Sequence, residues 1–146
     1  MKANELRIGN YISCWIKSRE NDFKDYQIEE IGKTCIDNKY YVVIDDSFCV
    51  NSETGIAPIP LTEEWLIKFG FKTEQKNKSL FIIKCDEYVM RVSVNTFSGN
   101  LENSPFLFVS VLTGYASRPV TIFYKYVHQL QNLYFALTGK ELKIKE

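Results

Sequence analysis

The sequence lacks net charge and has almost no histidine. Its 18 Lys and Arg side chains balance 18 Asp and Glu side chains, and one histidine occurs in 146 residues. Duplex nucleic acid is bound largely through Lys and Arg that neutralise phosphates, so extended nucleic-acid binding is the least favoured function. A single histidine excludes the usual multi-histidine zinc site, and neither CxxC nor HExxH spacing is present. We expect no metal and no cofactor.

The sequence also has no long apolar run and no glycine-rich phosphate loop. No stretch approaches the roughly 18 consecutive apolar residues of a membrane helix, and the polar start lacks the apolar region of a secretory signal. We therefore expect a cytoplasmic protein that does not enter a membrane. The seven glycines are scattered singly, so neither GxxxxGKS/T nor GxGxxG occurs.

The cysteines form no motif. Each of the four lies in or beside an apolar run and far from the others in the sequence. A buried thiol packs like a small hydrophobic side chain, and reducing compartments keep such thiols unpaired. We expect all of them to be buried core residues, namely Cys14, Cys35, Cys49 and Cys85.

What the chain does have is apolar and aromatic residues, at 45% and 14% of the sequence. A chain of this length can bury roughly 68–70% of its unfolded surface, so a core is expected without disulfide or metal. Short alternating segments, separated by polar turns, predict strands in the first 60 residues. They lie at 11–16, 26–31, 40–44, 48–50 and 56–61. We interpret residues 1–60 as a small SH3-like or curled β-sheet module.

The second part of the chain, residues 61–146, predicts an antiparallel sheet with two helices. Thr62 is a suitable N-cap and Gly70 a suitable end for a short helix, and apolar periodicity predicts a longer helix over 125–138. Strands are predicted at 80–85, 88–94, 106–112 and 120–124, with a short edge strand at 140–144. The fold class is α+β and mostly β, with the C-terminal helix on a sheet of about four strands and both modules packed as one compact unit.

The strand at 106–112 is apolar on both faces, which predicts a central position covered on both sides. The helices can cover only one face of this sheet. The N-terminal module is the favoured second cover, and a partner subunit or a ligand is the alternative, because exposed apolar patches mark interaction sites.

No catalytic constellation emerges from the sequence. His128 has no local signature that pairs it with a cysteine. Neighbouring carboxylates occur only as adjacent residues in strands, turns or a helix start, where they do not face a common cleft. We therefore assign no catalytic residue and expect a protein that is not an enzyme, with a small enzyme of unknown reaction as the last alternative.

Two groups of residues are candidate binding sites. An aromatic ring and cationic side chains near one another can receive an anionic, base-bearing ligand by stacking and charge. This candidate ligand site comprises Arg91, Tyr115, Arg118 and Lys125. The polar face of the C-terminal helix is rich in amides, which suit a partner surface although solvent exposure also tolerates them. This candidate surface comprises His128, Gln129, Gln131 and Asn132.

Three blocks carry a family likeness: KANELRIGN at 2–10, PIPLTEEWLIKFGF at 58–71 and YVHQLQNLYFALTGKEL at 126–142. They resemble an uncharacterised family of small proteins from gut Bacteroidales, their prophages and their phages. The resemblance implies a non-enzymatic accessory binding protein in the host cytoplasm, acting on host factors or host defence, with a host protein or a second copy as partner. The alternative is a sponge that sequesters a nucleotide immune signal in an aromatic and basic pocket.

Overall fold

The computed structural model describes residues 3–15, 23–36, 39–44, 48–51, 55–75, 77–85, 88–95, 106–113 and 122–145. Within these residues it contains ten strands in two antiparallel sheets, two α-helices and one short 3₁₀ helix. This confirms the predicted α+β, mostly β class. The chain divides into two units. Unit 1 is Met1–Ile59 with Tyr126–Asn132, and unit 2 is Pro60–Lys125 with Leu133–Glu146.

The sheet of unit 1 has five antiparallel strands in the order β4-β3-β2-β1-β5. They are β1 (Tyr11–Trp15), β2 (Phe23–Lys33), β3 (Tyr40–Ile44), β4 (Phe48–Asn51) and β5 (Ile56–Ala57). Four strands follow one another as a meander, and the fifth returns beside the first. Alternating side chains build its core, because successive residues of a strand face opposite sides. The core residues are Leu6, Ile12, Cys14, Ile28, Val42, Ile44 and Ile56.

The sheet of unit 2 also has five antiparallel strands, in the order β10-β9-β8-β7-β6. They are β6 (Lys72–Glu74), β7 (Asn77–Cys85), β8 (Tyr88–Asn95), β9 (Phe106–Thr113) and β10 (Ile122–Tyr124). The short polar β6 was not among the predicted strands. β9 lies between two neighbours, and the predicted covering of its side chains falls outside the described residues. The buried face of the sheet carries Phe81, Ile83, Met90 and Val92.

The first helix, α1 (Glu63–Lys68), begins and ends where the sequence predicts. The Thr62 hydroxyl accepts a hydrogen bond from the Trp65 N–H at 3.4 Å, which satisfies one of the donors left open at a helix start. Gly70 follows the helix with a φ of +82°, a conformation that L side chains rarely adopt. The helix is short, so its stability comes from burying Trp65 and Leu66 rather than from helix propensity.

The second helix, α2 (Val127–Thr138), confirms the long helix of the prediction. It begins in unit 1 and ends in unit 2, whereas the sequence assigned all of it to the second module. The predicted edge strand at 140–144 is wrong, since residues 141–145 have no regular secondary structure. The Lys145 N–H donates instead to the Lys68 carbonyl at 2.8 Å, and Leu142 is only 3% exposed. Residues 141–145 are therefore held in place by the hydrogen bond to the end of α1 and by burial of Leu142.

The cysteines differ in burial more than the sequence suggests. Cys14 is in the core as predicted, but Cys35 lies exposed in the turn after β2, so the prediction is wrong there. The side chains of Cys49 and Cys85 lie outside the described residues. Burial, together with the nearby Asp25 carboxylate, raises the pKa of the Cys14 thiol to about 12. The Cys14 thiol is therefore protonated and inert at neutral pH.

Alkylation should separate the two thiols. With iodoacetamide in mildly alkaline buffer, we expect Cys35 to react at least about 100-fold faster than Cys14, because the thiolate is the nucleophile and Cys14 is both buried and protonated. Peptide mass spectrometry after timed quenching measures both rates, and guanidinium chloride provides the unfolded control in which both react. Equal rates in the native protein would contradict the burial of Cys14.

Candidate functional site

A cavity of about 470 Å³ lies in unit 2, beside strands β6 and β7. Its lining residues are Gly70, Lys72, Thr73, Ile82, Ile83, Lys84 and Lys145. We call it the lysine pocket, because three of these residues are lysines and none is acidic. Its volume falls within the range of roughly 300–1,000 Å³ that is typical of small-molecule sites.

The pairing of β6 and β7 places two of the lysines. Lys72 lies directly opposite Ile82 in the antiparallel register, and such partners project from the same face of a sheet. Lys84 lies two residues beyond Ile82 on β7 and so shares that face. The neighbouring Phe81 and Ile83 alternate with these residues and are buried, and Ile83 also borders the pocket. The alternation of β7 thus separates a core face from a face that carries cations around one isoleucine.

The third lysine, Lys145, is placed by a glycine. Its side chain lies over Gly70, so a Cβ built on that glycine would come within 2.7 Å of the Lys145 Nζ. The hydrogen bond from the Lys145 N–H to the Lys68 carbonyl fixes the backbone at the same place. Gly70 therefore has two roles: it adopts the positive φ that ends α1, and it leaves room for a lysine at the pocket.

The three ammonium groups have no compensating partner in the described part of the chain. Neither Lys72, Lys84 nor Lys145 has a side-chain hydrogen bond or ion pair with another described residue. Cations that converge on a cleft without carboxylates raise the local concentration of anions. Lysine is an effective phosphate ligand as a compact point charge. The arrangement can hold an anion, and Ile82 offers an apolar surface beside it.

The structure does not bring the four residues of the predicted ligand site together within its described part. Arg91 is half-buried on β8 and lies directly opposite Ile82 of the lysine pocket. Lys125 is exposed after β10 and does not line the pocket, while its carbonyl accepts the Leu61 N–H at 2.9 Å. Tyr115 and Arg118 lie outside the described residues. The structure therefore brings one predicted residue, Arg91, next to the cavity.

The amides of α2 are used inside unit 1, which corrects the predicted partner surface. Gln131 is fully buried: its amide donates to the Gly9 carbonyl at 3.0 Å and accepts the Tyr11 N–H at 2.8 Å. Asn132 donates to the Glu5 carbonyl at 2.8 Å and accepts from the buried Asn10 amide at 3.0 Å. These side chains bind the start of the chain to the helix, and this explains the amide-rich face without a partner.

The other two residues of that surface also have internal positions. Gln129 accepts the Tyr126 N–H at 3.2 Å, at the start of α2. His128 is 1% exposed, so it cannot contribute to a surface. Its ring stacks on the Tyr126 ring, with 5.8 Å between the ring centroids. Both ring nitrogens are buried without a hydrogen-bond partner among the described residues. Burial lowers the pKa of His128, and the Glu5 carboxylate partly opposes this shift.

Metal and membrane sites were also sought in the described ranges. No group of three or more His, Cys, Asp or Glu side chains is arranged there to hold a metal ion. Neither of the two helices is long and apolar enough to cross a bilayer.

Most of the lysine pocket escaped the sequence analysis. Gly70 was identified only as a helix end, and Lys72, Lys84 and Lys145 were not singled out. One signal for Lys84 was present, since it alternates with buried apolar residues on β7. No local pattern identifies Lys72 or Lys145. β6 has only three residues, and Lys145 lies outside any helix or strand.

No family model, curated protein or solved structure matches this chain. The most informative residues of the chain are the three lysines of the lysine pocket, which have no acidic partner among the described residues.

Proposed function

We propose that this chain is a non-enzymatic accessory binding protein, of phage or prophage type, that sequesters a small phosphorylated ligand of the nucleotide-signal class in the lysine pocket. The observation that carries the proposal is the convergence of Lys72, Lys84 and Lys145 on a cavity that has no acidic residue among its described lining residues. The resemblance of the three sequence blocks supports the phage or prophage context, and the host cytoplasm is the corresponding location.

The charge and chemistry of the pocket favour a phosphate ester over a neutral metabolite. Three ammonium groups match the two or more negative charges of a phosphate ester, and hydrogen bonds between charged groups are about twice as strong as neutral ones. A neutral ligand gains nothing from that charge. Ile82 and the methylenes of the lysines provide the apolar surface for the rest of the ligand.

Calorimetry at low ionic strength tests the proposal. Inorganic pyrophosphate and a panel of linear and cyclic nucleotides are titrated into the protein. We expect binding that weakens as salt is added, and an affinity about tenfold lower in Lys72→Gln and in Lys145→Gln, because each loses a charged hydrogen-bond donor.

Lys143→Gln is the matched control, since Lys143 is exposed on the same C-terminal stretch and does not line the pocket. It removes the same charge but no side chain that lines the pocket, so it should lower the affinity much less than Lys145→Gln does, and its smaller effect should disappear first as salt is added. The absence of heat with every ligand would overturn the proposal, as would an equal loss in Lys143→Gln and Lys145→Gln.

A host protein as partner is the second candidate. One observation favours it: the turn between β2 and β3 exposes Ile36 by 96%, close in sequence to the exposed Tyr40 ring. A ligand that binds only the folded state raises the melting temperature, and the rise grows with the logarithm of ligand concentration once this exceeds the dissociation constant. A thermal-shift screen in which no phosphorylated metabolite stabilises the chain therefore favours the protein partner over the lysine pocket.

A further inference from the structure

Two of the cations near the lysine pocket lie in one row across the sheet of unit 2. Lys72 on β6 is opposite Ile82 on β7, and Ile82 is opposite Arg91 on β8. Because directly paired residues share a face, an isoleucine separates the two cations on that face. Neighbouring strands are about 4.8 Å apart, so the backbones of Lys72 and Arg91 are separated by about 10 Å.

Arg91 brings a buried guanidinium donor to this face of the sheet. The residue is half-buried, and its guanidinium Nε is buried without a hydrogen-bond partner among the described residues. A buried donor without an acceptor is costly, and a buried charge is normally paired. The guanidinium also carries terminal N–H donors, and phosphate oxygens match the fork geometry of those donors.

We infer that the ligand carries two separate anionic groups joined by an apolar or planar part, with one group in the lysine pocket and the second at Arg91. Ile82 then contacts the joining part. A ligand with its phosphates about 10 Å apart fits this row, whereas a single phosphate or a compact pyrophosphate reaches only one end. This inference rests on the proposed function, because it extends the ligand of the same pocket.

Calorimetry with simple organic phosphates measures the spacing. The probes are hexyl phosphate, hexane-1,6-diol bisphosphate and the shorter propane-1,3-diol bisphosphate. We expect the long bisphosphate to bind at least about tenfold more tightly than hexyl phosphate, since a second charged pair forms. The short bisphosphate cannot reach both cations. Its gain in binding free energy over hexyl phosphate should therefore be less than half the gain of the long bisphosphate.

Variants then assign the second group to Arg91. Arg91→Gln should bind hexyl phosphate like the parent and lose the advantage of the long bisphosphate, Arg91→Lys should keep most of it, and Lys72→Gln should weaken both ligands. Lys143→Gln is the charge-matched control and should weaken both much less than Lys72→Gln does. If Arg91→Gln does not fold, the comparison of the two bisphosphates on the parent protein still measures the spacing.

Each outcome is decisive. Equal affinity for hexyl phosphate and both bisphosphates overturns the second anionic group while leaving the lysine pocket as a phosphate site. Equal weakening of all ligands by Arg91→Gln also overturns it, because Arg91 then acts only through the fold. If the parent protein binds none of these probes and no pyrophosphate, the proposed function itself fails.

Discussion

Gln131→Leu is expected to lower the free energy of unfolding by about 3 kcal/mol, because it removes a buried amide that satisfies two backbone groups. The Gln131 amide is fully buried and joins the Gly9 carbonyl and the Tyr11 N–H, with both donor and acceptor used. Leucine has a similar size, so the loss reports hydrogen bonding rather than a cavity. Gln131→Ala should cost more, since it adds the cavity to the lost bonds.

Chemical denaturation measures this loss, and the same helix supplies the control. Gln129 is half-exposed and accepts the Tyr126 N–H at the helix start, so Gln129→Leu should cost about 1 kcal/mol or less, as other cap losses do. If the two leucine variants lose the same stability, the buried amide of Gln131 contributes no more than a surface amide. The role assigned to it in unit 1 is then wrong.

The same hydrogen bonds join two of the three sequence blocks. The block at 2–10 contains Glu5 and Asn10, and the block at 126–142 contains Gln131 and Asn132. In the structure, Asn132 bonds to both Glu5 and Asn10. Amides on a helix are equally compatible with a partner surface, with solvent exposure or with hydrogen bonds to another part of the same chain. Only the tertiary structure distinguishes them, because the hydrogen-bond partners lie more than a hundred residues away in the chain.

The elements that were predicted correctly carry strong local signals. The alternation in β1 and β8 and the apolar stripe of α2 reflect periods of 2 and about 3.6 residues, which are visible in any short window. Thr62 and Gly70 mark the ends of α1 by their own chemistry. β6 has three polar residues and no periodicity, and it exists because β7 provides a partner for it.

The lysine pocket could not be predicted for the same reason. Its cations come from β6, β7 and the stretch after α2, and they meet only once the register of β6 and β7 is set and Gly70 makes room for Lys145. Arg91 was identified from its charge near aromatic residues, but its neighbour Ile82 follows only from strand pairing. Sequence reasoning proposed an anionic, base-bearing ligand near Arg91, and the pairing of strands places Arg91 opposite Ile82 of the lysine pocket.

The stability of the chain should depend on pH through its only histidine. Burial lowers the pKa of His128 in the folded state below the ordinary value of 6.5, which applies to the unfolded chain. The unfolded state therefore binds more protons below pH 6.5, and stability falls as the pH decreases through that value. Above it, the imidazole is neutral in both states and contributes no slope. Because only one proton is involved, the free energy of unfolding changes by at most about 1.4 kcal/mol per pH unit.

His128→Phe is expected to remove this slope with little loss of stability at neutral pH. Phenylalanine preserves the stacking on Tyr126, and both imidazole nitrogens have no partner among the described residues, so no hydrogen bond in that part of the chain is lost. We expect the variant to lie within about 1.5 kcal/mol of the parent at neutral pH, as for other near-isosteric changes in a core. The free energy of unfolding, measured from neutral pH down to about pH 5, provides the comparison.

Glu5→Gln isolates the effect of the Glu5 carboxylate on the pKa of the His128 imidazole. The Glu5 carboxylate favours the protonated form, so removing its charge should lower the pKa of His128 further and extend the loss of stability to lower pH. The difference in slope between the parent protein and His128→Phe, between about pH 6.5 and 5, is assigned to the imidazole. If His128→Phe keeps the slope of the parent protein, the buried, neutral imidazole is not its source.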